Sequence, residues 1–361
     1  MKRNVDLLEG PIAGSLAKLA FPIMGTSLIQ MAYNLVDMIW IGRVSSNAVA
    51  AVGAAGMYMW LANGITTIPR MGGQVTVGQS LGAMDKEAAI DYARGSIRMG
   101  MLLGILYGII SVLFSGPLIG FFKLNSPDVI HDAKMYLVIT CGAIVFSFLN
   151  QVFTGILAAM GNTMATFRAT TIGLVINIVM DPVLIFGIGP LPKMEVTGAA
   201  LATVLAQIIV FILYLATVWN EPVIFRHIRL TQKAEKQHVR EIVRIGFPSA
   251  IQDALFSGIS MVIARLIAGW GDAAVAVQKV GSQIESISWM AAGGFSTAVN
   301  AFVAQNYGAG KKRGLRRDIR QLWGSWLCGE YLPALYSSLS RNFSSVFLLQ
   351  KRMSFRWELT I

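Results

Sequence analysis

The sequence predicts an all-α polytopic membrane protein, and three observations carry that expectation. Of its 361 residues, 55% are hydrophobic and only 14% are charged, whereas soluble domains carry about 25% charged residues. The mean hydropathy is +0.59, too apolar for a chain that must cover a water-facing surface. The apolar residues gather into eight long runs, each exceeding the roughly 20 residues a helix needs to cross a hydrocarbon core. A soluble globular protein, a disordered chain and a secreted disulfide scaffold are thereby excluded. Cys141 and Cys328 stand far apart without a CxxC pair, and His131, His227 and His238 lie in polar stretches. Neither structural zinc nor a disulfide framework is indicated.

The runs fall at about 15–41, 47–80, 97–122, 133–160, 165–189, 196–218, 242–269 and 273–306. In the first two, between Phe21 and Ser80, the only charged side chains are Asp37, Arg43 and Arg70. Pro22, Pro69, Pro182 and Pro248 fall inside runs and predict kinks, because proline lacks an N–H and crowds the preceding turn. The 36 glycines suit close helix packing in lipid. Loop charge sets orientation. Lys2 and Arg3 precede the first run, Lys86, Arg94 and Arg98 fill the second loop, and Arg168 lies in the fourth. Arg226, Arg229, Lys233, Lys236, Arg240 and Arg244 fill the sixth, and Lys311, Lys312, Arg313, Arg316, Arg317 and Arg320 follow the eighth run. Short basic loops stay cytoplasmic, so the N-terminus is expected in the cytoplasm of a multi-pass protein of the cell (inner or plasma) membrane. No removable signal peptide is read at the N-terminus.

The sequence also repeats. Phe21-Pro22 returns as Phe247-Pro248, and Gln79-Ser80-Leu81-Gly82-Ala83-Met84-Asp85-Lys86 returns as Gln305-Asn306-Tyr307-Gly308-Ala309-Gly310-Lys311-Lys312, an offset of 226. Copies separated by an even number of helices keep one membrane orientation, so two parallel lobes are expected. Residues 1–218 would form an N-lobe of six transmembrane helices, and 219–241 a cytoplasmic inter-lobe loop. Residues 242–320 would begin a C-lobe with helices seven and eight and a basic loop. From Gln321 to Ile361 the composition changes, which reads as an atypical, frame-shifted tail on an incomplete second lobe. Ten of the Lys/Arg residues, against three Asp/Glu, lie in 311–361, leaving only +4 of the +11 net charge for the first 310 residues. The basic balance is therefore no nucleic-acid signal.

An ionisable group inside a span costs about 2.5–3.5 kcal/mol on insertion scales and marks function by default. Asp37 shares one helix face with Gln30, Tyr33 and Asn34, since they recur at three- and four-residue spacing. Asp181 has Asn177 one turn earlier and Pro182 directly after. Two carboxylates facing one cavity would form a coupled proton site, or with Asn177 a sodium site. Glu285 would meet a cationic ligand or an interior salt bridge, and Asp253 and Arg265 would neutralise each other or lie near opposite interfaces. Asn63, Thr66, Asn150, Gln151, Thr154, Thr203 and Gln207 would line a cavity or bond between helices. Phosphate-loop, HExxH and nucleophile–base patterns are absent from the sequence, so neither an enzyme nor an ATPase is expected, and no cofactor.

Leu19-Ala20-Phe21-Pro22-Ile23-Met24, Tyr33-Asn34-Leu35-Val36-Asp37-Met38-Ile39-Trp40-Ile41-Gly42 and Asn177-Ile178-Val179-Met180-Asp181-Pro182 closely resemble the multidrug and toxic compound extrusion (MATE) family. So do Gly155-Ile156-Leu157-Ala158-Ala159-Met160-Gly161-Asn162 and Gln305-Asn306-Tyr307-Gly308-Ala309-Gly310. The resemblance, over about residues 10–320, implies a MATE-type fold of two six-helix lobes around a cavity. It also implies alternating access and export of small amphiphilic or cationic organic substrates against protons or sodium. It is strongest to the branch related to the DNA-damage-inducible F (DinF) protein, which implies Asp37, Asn177 and Asp181 as the ion-coupling residues. Another branch has a glutamate in the seventh helix where this chain has Phe256. Substrate-cavity candidates are Gln30, Tyr33, Asn34, Asn150, Thr154, Thr203 and Glu285, in a monomer embedded in a lipid bilayer. A lipid-linked oligosaccharide flippase of the wider superfamily, using Arg70 and Arg265, and a non-functional fragment are the alternatives.

Overall fold

The computed structural model describes residues 7–8, 12–122, 124, 126–188, 192–219, 221, 224–228, 232, 235–268 and 293–311. Glu285 and the stretch 312–361 lie outside them, as does the side chain of Arg265. The chain divides into a unit of residues 1–310 and a unit of residues 311–361. The first is described below.

The described part is helical: α1 (Ile12–Gly42), α2 (Ser46–Gly82), α3 (Lys86–Leu113), α4 (Ser115–Gly120), α5 (Pro127–Gly142), α6 (Ile144–Ala159), α7 (Thr163–Phe186), α8 (Glu195–Trp219) and α9 (Lys236–Ala268). A 3-10 turn at Phe225–His227 follows α8, and 293–308 is helical. By length and composition α1, α2, α3, α7 and α8 are each able to cross a membrane, and α5 with α6 makes a sixth span bent by 47°. The run at 133–160 is thus two helices rather than one. α3 passes close to the break at Ala143, for a Cβ on Gly108 would sit 2.9 Å from the Cys141 carbonyl oxygen.

Helices extend past the apolar runs into residues that the sequence assigned to loops. Asp85 caps α3 by accepting from the Ala88 N–H at 3.0 Å. Arg94 and Arg98 therefore lie on α3, and Lys236, Arg240 and Arg244 lie on α9. A backbone in the headgroup zone keeps its internal hydrogen bonds as readily as in hydrocarbon, so the apolar run under-reports helix length. α7 ends at Gly187, whose φ of 72° is the left-handed conformation that glycine adopts without strain. Pro22, Pro69, Pro182 and Pro248 all fall inside helices.

The repeat is visible in backbone geometry. Ala83 N–H donates to Gln79 O and Ala309 N–H to Gln305 O, both at 2.9 Å. Met84 N–H donates to Leu81 O and Gly310 N–H to Tyr307 O, both at 3.1 Å, with φ of 59° and 75° at Met84 and Gly310. The two copies of this helix end face each other. A Cβ on Gly82 would meet the Gln305 carbonyl oxygen, and one on Gly308 would meet the Gln79 carbonyl oxygen. A contact in which residue i meets j and the equivalent of i meets the equivalent of j is the signature of a local two-fold axis. It lies at the end of the bundle that carries the basic loops.

Candidate functional site

α1, α7 and α8 pack against one another, with α5 lying against α8. Thr163 Oγ1 donates to Leu19 O at 3.2 Å, and Gly25 gives room to the Phe167 ring. Asp37 lies near the end of α1 and Asp181 near the end of α7. Both sit in the half of the bundle remote from the basic loops. Asp37 is 8% exposed, while Asn177 and Asp181 are fully buried. Asp181 is therefore enclosed by the protein. Asn177 Nδ2 donates to Asp181 Oδ1 at 3.0 Å, the four-residue contact that the sequence spacing predicts.

The two carboxylates lie close enough to act electrostatically on each other. Both also act on the ring hydroxyls of Tyr33 and Tyr136. Tyr33 reaches across to α8, its hydroxyl donating to the Thr203 carbonyl at 3.5 Å. Four buried oxygens of this cluster have no hydrogen-bond partner: Asp37 Oδ1, Asn177 Oδ1, Asp181 Oδ2 and the Thr203 hydroxyl. Buried polar atoms are nearly always paired, so four orphans in one cluster demand a cause. Three of them are acceptors only, a donor set that suits a hard cation or a proton.

The polar stripe of α1 does not stay together. Tyr33 and Asp37 turn toward α7 and α8, whereas Gln30 and Asn34 on the other flank are exposed. A helix face is broad enough for its two edges to meet different surroundings. Asn150 and Thr154 are taken up by helix packing. Asn150 Nδ2 donates to the Gln207 carbonyl and side-chain oxygens at 2.9 Å, and the Thr154 and Tyr214 hydroxyls lie 3.0 Å apart. Among the described residues, the Thr67 hydroxyl of α2 donates to Asp253 Oδ2 at 2.9 Å, with the Arg70 charge close by; a pairing of Asp253 with Arg265 lies outside the described residues. Glu285 lies outside the described residues. Tyr136 escaped the sequence reading because a lone tyrosine in an apolar helix carries no signal. Its role is set by α5 lying against α8.

The sequence model of the MatE family matches residues 22–183 and 248–347, most of the chain. The chain belongs to the MatE family. MatE membership makes it a multi-pass membrane transporter, all-helical as the sequence predicts. Asp37, Asn177 and Asp181 fall in the first matched stretch, Thr203 falls between the two, and the second runs past Gln321 to residue 347. The chain is 32% identical to "Probable multidrug resistance protein NorM" of Thermotoga maritima over 86% of its own length and 67% of that protein. It is 28% identical to "Probable multidrug resistance protein YoeA" of Bacillus subtilis, over 93% and 74% of the two chains. A solved MOP superfamily transporter from Pyrococcus furiosus shares the fold, with a TM-score of 0.78 at 24% identity over 88% of this chain and 69% of that one.

Proposed function

We propose that this MatE transporter is a secondary active exporter of small amphiphilic or cationic organic compounds, driven by proton or sodium entry through the cluster of Asp37, Asn177, Asp181 and Thr203. The four orphaned buried oxygens carry this reading. A carboxylate held charged in low dielectric is costly, and a proton or an oxygen-liganded sodium ion would relieve that cost. The two MatE relatives named above bear multidrug resistance names, which supports the substrate class. α1 would respond to the ion because a cation shared by Asp37 and Asp181 would tie its far end to α7, while Pro22 weakens its hydrogen-bond ladder toward the other end. Exposed Gln30 and Asn34, two turns and one turn before Asp37, are the cavity candidates best placed to meet substrate.

Residues 1–218 are taken as the N-lobe and 242–320 as the start of the second, with the basic loops and the N-terminus in the cytoplasm. The glycine contacts between the repeats then close the cytoplasmic end, and access would be from the opposite side. The flippase reading is weakened by Asp253, which offsets the Arg70 charge that pyrophosphate recognition would use.

Dye efflux from energised vesicles tests the proposal. Asp37→Asn should reduce gradient-driven export at least about tenfold while leaving thermal stability within about 1 kcal/mol of wild type, because it removes a poorly paired buried charge. Retained gradient-dependent export in a correctly inserted Asp37→Asn protein would refute the coupling role.

A further inference from the structure

Among the described residues, the ties that cross from α2 and α6 to 293–308 are neutral. They include the glycine contacts of Gly82 and Gly308, the Gln74 amide on Thr297 O at 2.9 Å and the Gln305 amide on Ala159 O at 2.5 Å. A second set, between α3 and the start of α9, is charged. Asp91 Oδ1 accepts from Arg94 Nη1 at 2.7 Å, and Asp91 Oδ2 accepts from the Glu235 N–H at 3.0 Å. His238 Nδ1 lies 2.6 Å from the same Oδ2. A carboxylate only accepts, so Nδ1 carries the hydrogen. The neighbouring Tyr92 hydroxyl donates to Glu241, and its ring lies 4.2 Å from the imidazole. Arg98 Nη1 donates to Gln232 O at 2.7 Å. Apart from Arg94 and Asp91, one turn apart on α3, these partners are 134 to 149 residues apart, and in the Asp91–His238 pair the side chains are only 14% and 20% exposed.

We propose that Asp91 and His238 form a proton-sensitive latch that fixes the start of α9 to α3 and so holds the two repeats together at the basic-loop end. Asp91, Tyr92, Arg94 and Arg98 face the imidazole region from α3, with the Asp85 charge acting on Tyr92, and Glu235, Lys236, Arg240, Glu241 and Arg244 belong to its own segment. On the α2 side, residues 71–82 carry no charged side chain, and neither do residues 293–308. Protonated, the imidazole makes a charge-assisted bond to Asp91. Neutral, it retains only an ordinary N–H donor. The latch is therefore tight where the imidazole is protonated and loosens where it is neutral. The Ile242 carbonyl, one turn beyond His238, lies where a Cβ on Gly72 would be. Movement at His238 is thereby passed directly to the seam between α9 and α2.

The regulatory consequence rests on the cytoplasmic orientation and proton entry proposed above. Protons delivered to the cytoplasm would tighten the latch, oppose opening at that end and make transport self-limiting. The latch itself is tested without transport. Spin labels at exposed Glu87 and Gln237, in the full chain with both native cysteines replaced by serine, report the α3–α9 distance in nanodiscs. The separated fraction should rise about threefold or more from pH 6 to pH 8. His238→Gln retains a neutral donor and should flatten the profile, whereas Tyr92→Phe should keep it. A flat wild-type profile, or an unchanged profile in His238→Gln, would overturn the latch. Loss of the pH response in Tyr92→Phe but not in His238→Gln would move the switch to Glu241 and overturn it equally.

Discussion

Two groups of carboxylates, at opposite ends of one bundle, are treated in opposite ways. Asp91, at the basic-loop end, has both oxygens bonded, to a guanidinium, an imidazole and a backbone N–H. Asp37 and Asp181, in the remote half, each keep one oxygen buried and unpartnered. Where donors saturate a carboxylate, its charge is spent on holding two segments together. Where they do not, the charge remains available for a ligand that comes and goes. Burial alone does not separate the two roles, since all three are largely or wholly shielded. The donor inventory does.

The contrast predicts a gradient of stability effects. Asp91→Ala strands Arg94, His238 and the Glu235 N–H together, and should lower unfolding stability in detergent by about 2–3 kcal/mol. A loss comparable to that of an exposed pair would mean that the latch is not structural. Asn177→Ala removes the amide donor to Asp181 and should cost about 1–2 kcal/mol in the same thermal assay. It should also alter the cation dependence of export, since the amide oxygen goes with it. A stability loss with unchanged cation dependence would make Asn177 a packing residue. Lys193→Ala breaks an ion pair whose side chains are 59% and 47% exposed, and should shift stability by no more than about 0.5 kcal/mol. A larger effect there would show that charge counting, without donor inventory, suffices after all.

Part of the site was legible in the sequence because it is local. Asn177 and Asp181 sit one helical turn apart, so their hydrogen bond follows from spacing. Asp37 was legible as an acid within an apolar run. The division of its face was not, because periodicity places Gln30, Tyr33, Asn34 and Asp37 on one side without saying which neighbour each edge meets. Asn150 and Thr154 looked equally suited to a cavity, and only the approach of α6 to α8 committed them to Gln207 and Tyr214. The charges at positions 86–98 and 236–244 look like loop charges in the sequence because hydropathy marks the apolar slab, whereas the hydrogen-bonded helix continues through the polar boundary.

What the sequence by itself determined is the solvent and the local frame. Its composition requires a bilayer, its apolar runs place the helices, and its repeat at an offset of 226 sets equivalent helix ends at Met84 and Gly310. Only the tertiary structure decided which helices meet. It brought Asp37 and Asp181 together with Tyr33, Tyr136 and Thr203 while leaving four oxygens unpaired, and it set His238 on Asp91 across 147 residues of chain. The reason is one of range. Hydrophobicity and backbone hydrogen bonding act within a turn or two of helix, whereas the pairing of one polar side chain with another depends on how whole helices pack.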